Sequence, residues 1–288
     1  MVKNPAEQTA IGPMVIVAAD QYETPPLVFD PWAAKILPFG GRIAASLTRW
    51  AAARRAFKAI TDRRISGGWS NFLCRKRYVD DQLLSAVDEG IDAVVILGAG
   101  FDTRAYRLPE MATVPVCEVD LPGNVARKAA AVRRCFGGVP PHVRLLAVDF
   151  ESDSLAEALT REGFGPDKRI FYIWEGVTMY LTEPAVRKTM ESLSIAAPGS
   201  MLTFTFIRKD FLDGQEMYGA GGIYEEAVVK RGLWHFGLDP DQVSGFLAEY
   251  GWQEIEQVGH QLYASRYLRP AGRDDVVSEI ERAVYAAR

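Results

Sequence analysis

Acidic side chains close or follow four successive apolar runs of this chain. Asp102 comes shortly after "AVVIL" (93–97). Glu118 and Asp120 lie in "VPVCEVD" (114–120), Asp149 in "VRLLAVDF" (143–150), and Glu175 in "RIFYIWEG" (169–176). One such residue would do no more than cap a helix or fill a turn. Carboxylates at four consecutive strand ends instead offer acceptors and negative charge to a ligand rich in hydroxyl and amine donors, or to a cation.

The loop after the first run, "ILGAGFDTRAYRL" (96–108), opens with Gly98, Ala99 and Gly100 like a Gly-x-Gly-x-x-Gly dinucleotide loop, in which a helix N-terminus holds a pyrophosphate. Here Thr103 replaces the third glycine, and Asp102 would stand beside the pyrophosphate. Like-charge repulsion and desolvation then both oppose NAD. S-adenosylmethionine (SAM) suits the acids better, because it lacks phosphate, carries a sulfonium and an ammonium, and presents ribose hydroxyls and an adenine amine. Gly98 and Gly100 would let the backbone pass close beneath it, with Asp120 on the ribose and Asp149 near the adenine amine.

These residues need a scaffold. The runs at 93–97, 114–120, 143–150, 169–176 and 200–207 read as strands, and helices are expected at 122–135, 152–162 and 183–196. Thr182 can cap the last of these, and Pro184 suits its first turn. Such alternation implies a parallel sheet covered on both faces, with ligands at the carboxyl ends of the strands. Upstream, 42–60 and 71–88 read as amphipathic helices. Downstream, "LDPDQVSGFLAEYGW" reads as a capped helix, and "QEIEQV" and "LYASRYL" as two further strands. The stretch 208–237, with five glycines from Gly214 to Gly232, resembles an insertion over a site.

With 288 residues, 48% hydrophobic and 24% charged, the chain has the composition of a soluble domain with a large core. "MVIVAA" (14–19) is too short to span a bilayer and lacks the form of a secretory signal, so a cytoplasmic protein without a membrane partner is expected. Cys74, Cys117 and Cys135 form no Cys-x-x-Cys pair and support neither a disulfide framework nor a metal site. From Arg42 to Arg77 ten basic residues face one acid, Asp62, in a chain of net charge −4. That stretch would steer an anion or a nucleic acid, or simply form a solvated helix face.

"LGAGFDTRAYRL", "EVDLP", "VDF" and "WEGVTMYLT" together resemble the leucine carboxyl methyltransferase family, SAM-dependent enzymes that methylate carboxylates. "VFDPWA" (28–33), "CRKRYVDDQL" (74–83), "WHFGLDPDQV" and "RYLRPAG" extend the likeness along most of the chain. The resemblance implies a class I, Rossmann-like methyltransferase fold with a mostly parallel seven-stranded sheet. It would be one domain, divided into an N-terminal helical cap (1–90), a SAM-binding core (91–207), a lid inserted after the fifth strand (208–237) and a C-terminal completion of the sheet (238–288). It also implies that Arg75 meets the SAM carboxylate, Gly98, Ala99, Gly100 and Asp102 form the loop, and Asp120 and Leu121 take the ribose. Asp149 and Phe150 would flank the adenine, with Glu175 near the methionine part. Pro25 stands where the phosphatase-directed member of the family has a lysine, so the N-terminal contacts are expected to differ.

The expected reaction is O-methylation of a carboxylic acid on a small molecule such as a bacterial secondary metabolite. A carboxylate is ionised at neutral pH and needs no general base, whereas a phenol or alcohol does. Glu175, Tyr180 and His235 are the positioning candidates. Arg77, Arg208, Tyr218, Tyr224, Trp234 and Phe236 are candidates for acceptor binding, since an anionic organic acid wants a cation and an apolar wall. Hydroxyl methylation, RNA modification and non-catalytic SAM binding are the alternatives; nucleic acid is disfavoured by the net negative charge. The sequence does not specify an oligomeric state.

Overall fold

A computed structural model describes residues 11–288. Five helices come first: α1 (Ile11–Asp20), α2 (Ala33–Ile36), α3 (Phe39–Leu47), α4 (Ala51–Arg64) and α5 (Gly68–Asp88). The "MVIVAA" run is α1, buried along its length. The single helix expected over 42–60 is broken between α3 and α4, where Trp50 adopts an extended backbone. Arg54 stabilises the break, its Nη1 donating to the freed carbonyls of Thr48 (3.0 Å) and Arg49 (3.2 Å).

Next come β1 (Ala93–Leu97), α6 (Arg104–Arg107), β2 (Val116–Asp120), α7 (Pro122–Phe136), β3 (Val143–Ala147), α8 (Leu155–Arg161), β4 (Ile170–Trp174), α9 (Glu183–Leu193) and β5 (Met201–Arg208). Thr182 caps α9 as expected, accepting from the Ala185 N–H. The inserted stretch holds α10 (Lys209–Leu212) and α11 (Gly221–Ile223), the latter running on as a π-helical turn over Tyr224–Lys230. It packs on the junction of α4 and α5, where Ser66 N–H donates to Gly219 O at 3.3 Å. The chain ends with β6 (Gly237–Leu238), α12 (Val243–Ala248), β7 (Gln253–Val258), α13 (His260–Tyr263) and β8 (Glu281–Ala287).

The sheet runs β3-β2-β1-β4-β5-β8-β7, with two-residue β6 added beside the end of β5, so the expected seven strands gain a short eighth. Only β8 is antiparallel to its neighbours. β1 shows why both faces are covered: Val94 and Ile96 pack into a core with α1, α2, α5 and α7, while Ala93, Val95 and Leu97 pack with α8, α9 and α12. The strand order reverses between β1 and β4, which opens a crevice at their carboxyl ends.

"LYASRYL" is helical, not a strand: α13 continues as a π-helical turn over Ala264–Leu268. Its apolar residues also fit helical spacing, and Tyr263 and Tyr267 lie on one side, Tyr263 edge-on to Tyr78 of α5 at 6.1 Å. The last strand is instead "ERAVYAA", whose small buried residues Ala283 and Ala286 give a weak apolar signal.

The turn after β1 depends on Gly98, whose φ of +68° lies in the left-handed region. A Cβ there would stand 2.3 Å from Val177 Cγ2. Gly98→Ala is expected to lower stability in urea unfolding by about 2–4 kcal/mol. Adding Val177→Ala should recover the clash but not the backbone strain; full recovery would show that the backbone conformation costs nothing.

Candidate functional site

A cavity of about 310 Å³ opens at the carboxyl ends of the strands. Following the strand order, its wall carries Asp149 and Phe150 after β3, Asp120 and Leu121 at β2, Gly98, Ala99, Gly100 and Asp102 after β1, and Glu175 after β4. Beyond these come Ile207 of β5 and Glu281 of β8. Helix α5 contributes Asn71, Phe72, Arg75 and Lys76. The acids inferred from sequence are therefore gathered, except Glu118, which is buried behind the wall against Lys128 (3.1 Å) and the Tyr106 hydroxyl (2.8 Å).

At the centre is an ionic network. Arg104, fully buried, donates from Nε to Asp80 at 2.7 Å, from Nη2 to Lys76 O at 3.1 Å and from Nη1 to Asp102. The same Nη1 lies 2.8 Å from Glu175 Oε2. Arg75 donates from Nε to Glu175 Oε1 at 3.0 Å, while its Nη1 meets both oxygens of Glu281 at 2.7 and 2.8 Å. Its Nη2 has no partner among the described residues, and it lies where a Cβ on Gly176 would touch it at 3.1 Å. Lys76 reaches Asp102 at 3.5 Å. Burying so many charges is tolerable only because each faces an opposite one.

Asp102 does not act as the bare repulsive charge expected of it. It lines the cavity, but Arg104 and Lys76 compensate its carboxylate. The loop's poor match to a pyrophosphate comes instead from its backbone. Gly98 and Ala99 N–H donate to Val119 O (2.8 and 3.0 Å), Asp102 N–H to Ala99 O (2.7 Å), and Gly100 N–H to Asp120 Oδ2 (2.7 Å). Four donors that a dinucleotide loop would turn to phosphate are spent, and α6 beyond is a single turn.

The acceptor sites suit SAM. Asp120 takes three hydrogen bonds, from Gly100, Leu121 and Asn124, each at 2.7 Å. An ionised carboxylate has about four acceptor positions, so capacity remains for a hydroxyl. Among the described residues the Asp149 side chain accepts only from Glu151 N–H, through Oδ1, leaving Oδ2 available. Glu175 Oε2, ion-paired with Arg104 Nη1 at 2.8 Å, receives no well-aligned hydrogen bond among the described residues and can accept one from an ammonium. Arg75 Nη2 offers a donor to a carboxylate.

The opposite end of the cavity is apolar: Met14, Ile65, Met179, Ile207, Trp234 and Ile280, with Tyr180 edge-on to Trp234 at 6.5 Å. Among the acceptor-binding candidates only Trp234 lines the cavity. Arg77 is exposed and pairs with Asp81 one helical turn away. Arg208 and Tyr218 both bond Asp210 at 2.6 Å, a cluster of their own outside the wall. Tyr224 packs edge-on to Phe211, and Phe236 is buried beside Phe246 in the other core. His235 is exposed and contributes only its backbone N–H, to Met179 O at 2.8 Å.

Sequence reasoning missed Lys76, Arg104, Glu281 and Asn71. Arg104 lies inside the quoted loop motif, and Lys76 lies in the "RKR" triplet, in which helical geometry buries two side chains and exposes the third. Glu281 had no signal because its strand was not recognised.

Burial pushes the Glu175 carboxyl up, but Arg104, Lys76 and Arg75 pull it down to about 2 from an ordinary 4.5. Asp102, also raised by burial, is held below the carboxylate range by Arg104, Lys76 and Lys128. These groups bind fewer protons folded than unfolded, so their stabilisation is full above the ordinary carboxylate value and is lost as pH falls toward the folded one. Glu175→Gln should cost roughly 1–3 kcal/mol at neutral pH. The difference from the parent should shrink as pH drops from about 5 to about 3. Urea unfolding across that range checks it; a constant difference would contradict the assigned charge.

The leucine carboxyl methyltransferase family profile matches residues 10–194. A Mycobacterium tuberculosis protein named among the S-adenosyl-L-methionine-dependent methyltransferases is 30% identical over 275 residues, covering 91% of this chain and 77% of its own. A Mycobacterium bovis protein of similar name is 29% identical over 262 residues, covering 85% and 83%. In structure, a Thermobifida fusca protein named as a methyltransferase superposes with a TM-score of 0.57 at 14% identity, covering 100% of this chain and 99% of its own. A Streptomyces avermitilis DUF574 protein gives 0.55 at 16%, covering 83% and 91%. These two likenesses speak to the fold alone, that of the class I methyltransferases. Family match, relatives, fold and acceptor-rich crevice agree: the chain belongs to the leucine carboxyl methyltransferase family and is a SAM-dependent methyltransferase.

Proposed function

We propose that the enzyme forms a methyl ester on the carboxylate of a small, largely apolar acid. One observation carries this reading: among the described residues the apolar end of the cavity has no histidine in its wall, and the acids that border it, Glu175 and Glu281, are both paired with Arg75, with Glu175 held at about 2 by its cations. A carboxyl so acidic and so tightly paired is a poor proton acceptor near neutral pH. An acceptor that arrives already ionised needs none, and carboxylic acids, with pKa values near ~4, meet that condition. Phenols and alcohols do not.

In this reading Asp120 holds the ribose, Asp149 and Phe150 the adenine, Glu175 the ammonium and Arg75 Nη2 the carboxylate of SAM. When bound, SAM supplies an electrophilic methyl group whose transfer is an in-line displacement, governed by alignment. The chain contributes position and dryness. Tyr180 and Trp234 wall the acceptor, and the aliphatic side chains beside them exclude water, which would otherwise solvate and blunt the carboxylate.

Methyl transfer to a panel of apolar carboxylic acids and matched phenols, followed from about pH 6 to pH 9, tests this. Turnover of acids with kcat/KM flat across that range is expected, since their ionisation is complete below it. Turnover confined to phenols, rising with pH, would overturn the carboxylate reading.

A further inference from the structure

The basic stretch noted in the sequence divides in the structure. Arg75 and Lys76 are buried in the network, whereas α3 and α4 lie on the surface, and α4 has no buried residue among its 14. Phe39, Ile43 and Leu47 recur every fourth residue of α3 and so share one face. They are exposed by 74%, 47% and 39%, with Trp50 (51%) just beyond and Ile60 (53%) on α4. Interspersed are Arg42, Arg49, Arg55, Arg63 and Arg64, none with a carboxylate partner among the described residues; Arg49 lies instead over the Trp50 ring at 4.1 Å. Unpaired arginines alternating with large exposed apolar side chains along two consecutive surface helices are unusual in a chain of net charge −4.

We propose that this face seats the enzyme on an anionic lipid surface. The arginines match the negative headgroups, and Phe39, Ile43, Leu47 and Trp50 would enter the boundary beneath them, the division of labour of an interfacial helix. A second copy is the poorer occupant, because two-fold pairing would oppose the same arginines. Nucleic acid would meet the cations but give the aliphatic side chains nothing to bury them. No helix among the described residues is long and apolar enough to cross a membrane. The sequence expectation of no membrane partner rested on span length, which does not bear on surface docking. The face also adjoins the cavity, since Ile65, directly after α4, and Met14 of α1 both line it. An apolar substrate held in lipid would have a short path inward.

Cosedimentation of the full chain with vesicles of equimolar phosphatidylglycerol and phosphatidylcholine, against phosphatidylcholine alone, tests the proposal. Binding is expected only to the anionic vesicles and should weaken with salt. Arg49→Ala with Arg55→Ala should reduce it by roughly 30-fold. Phe39→Ser with Trp50→Ser should also reduce it sharply, while calorimetric SAM binding, at the polar end of the cavity and without contact to either side chain, stays at the parent value and shows that the variants fold. The proposal is overturned by no binding to anionic vesicles at low salt, by equal binding to neutral ones, or by binding that the variants leave intact. A dimer in sedimentation equilibrium that the serine variant dissolves, or RNA binding without vesicle binding, would assign the face to another occupant.

Discussion

A guanidinium with no exposure to water survives inside a protein only when carboxylates surround it, and Arg104 is held in this way by Asp80, Asp102 and Glu175. The arrangement fixes much else. Asp80 belongs to α5, Asp102 to the loop after β1, and Glu175 to the end of β4, so one cation ties the helical layer to both strands flanking the crevice. Arg75 adds β8 through Glu281. Any element that shifted would leave a buried charge unpaired. The crevice is therefore braced where a ligand needs shape, and the shared cations hold its neighbouring carboxylates together against their mutual repulsion.

The network also gives the cavity two unlike ends. On the β2 and β3 side the carboxylates are solvent-facing or only partly committed, and they can accept further hydrogen bonds. Toward β5 and β8 the wall becomes aliphatic and aromatic, and its charges are consumed by each other. Methyl transfer needs this polarity, with a polar donor held at one end and a desolvated nucleophile at the other. The parallel sheet supplies it by placing successive strand ends in a row, each free to carry a different side chain.

The sheet and its cavity-facing acids were legible because buried parallel strands write themselves as short apolar runs, and the residue after each run must lie at the carboxyl edge of the sheet. Asp120, Asp149 and Glu175 were found in that way. Asp102 was placed correctly but misjudged, since its compensation by Arg104 is a contact made in three dimensions. The acceptor residues fared worse. Arg77, Arg208, Tyr218, Tyr224, Phe236 and His235 were chosen by chemical type within plausible segments, yet which face a side chain takes in an irregular insertion has no period to reveal it. β8 was missed because an alanine-rich strand lacks hydrophobic contrast, while "LYASRYL" fitted either period and tertiary packing against Tyr78 decided for helix.

The central claim is that this carboxylate-rich, charge-compensated crevice accepts a phosphate-free sulfonium nucleoside and refuses a dinucleotide. Calorimetric titration of the purified protein with SAM, its demethylated product S-adenosylhomocysteine and NAD, in parallel, tests it most directly. Micromolar binding of the two sulfur compounds with no heat from NAD is the expected result. NAD binding of comparable strength, or no binding of either sulfur compound, would contradict the account.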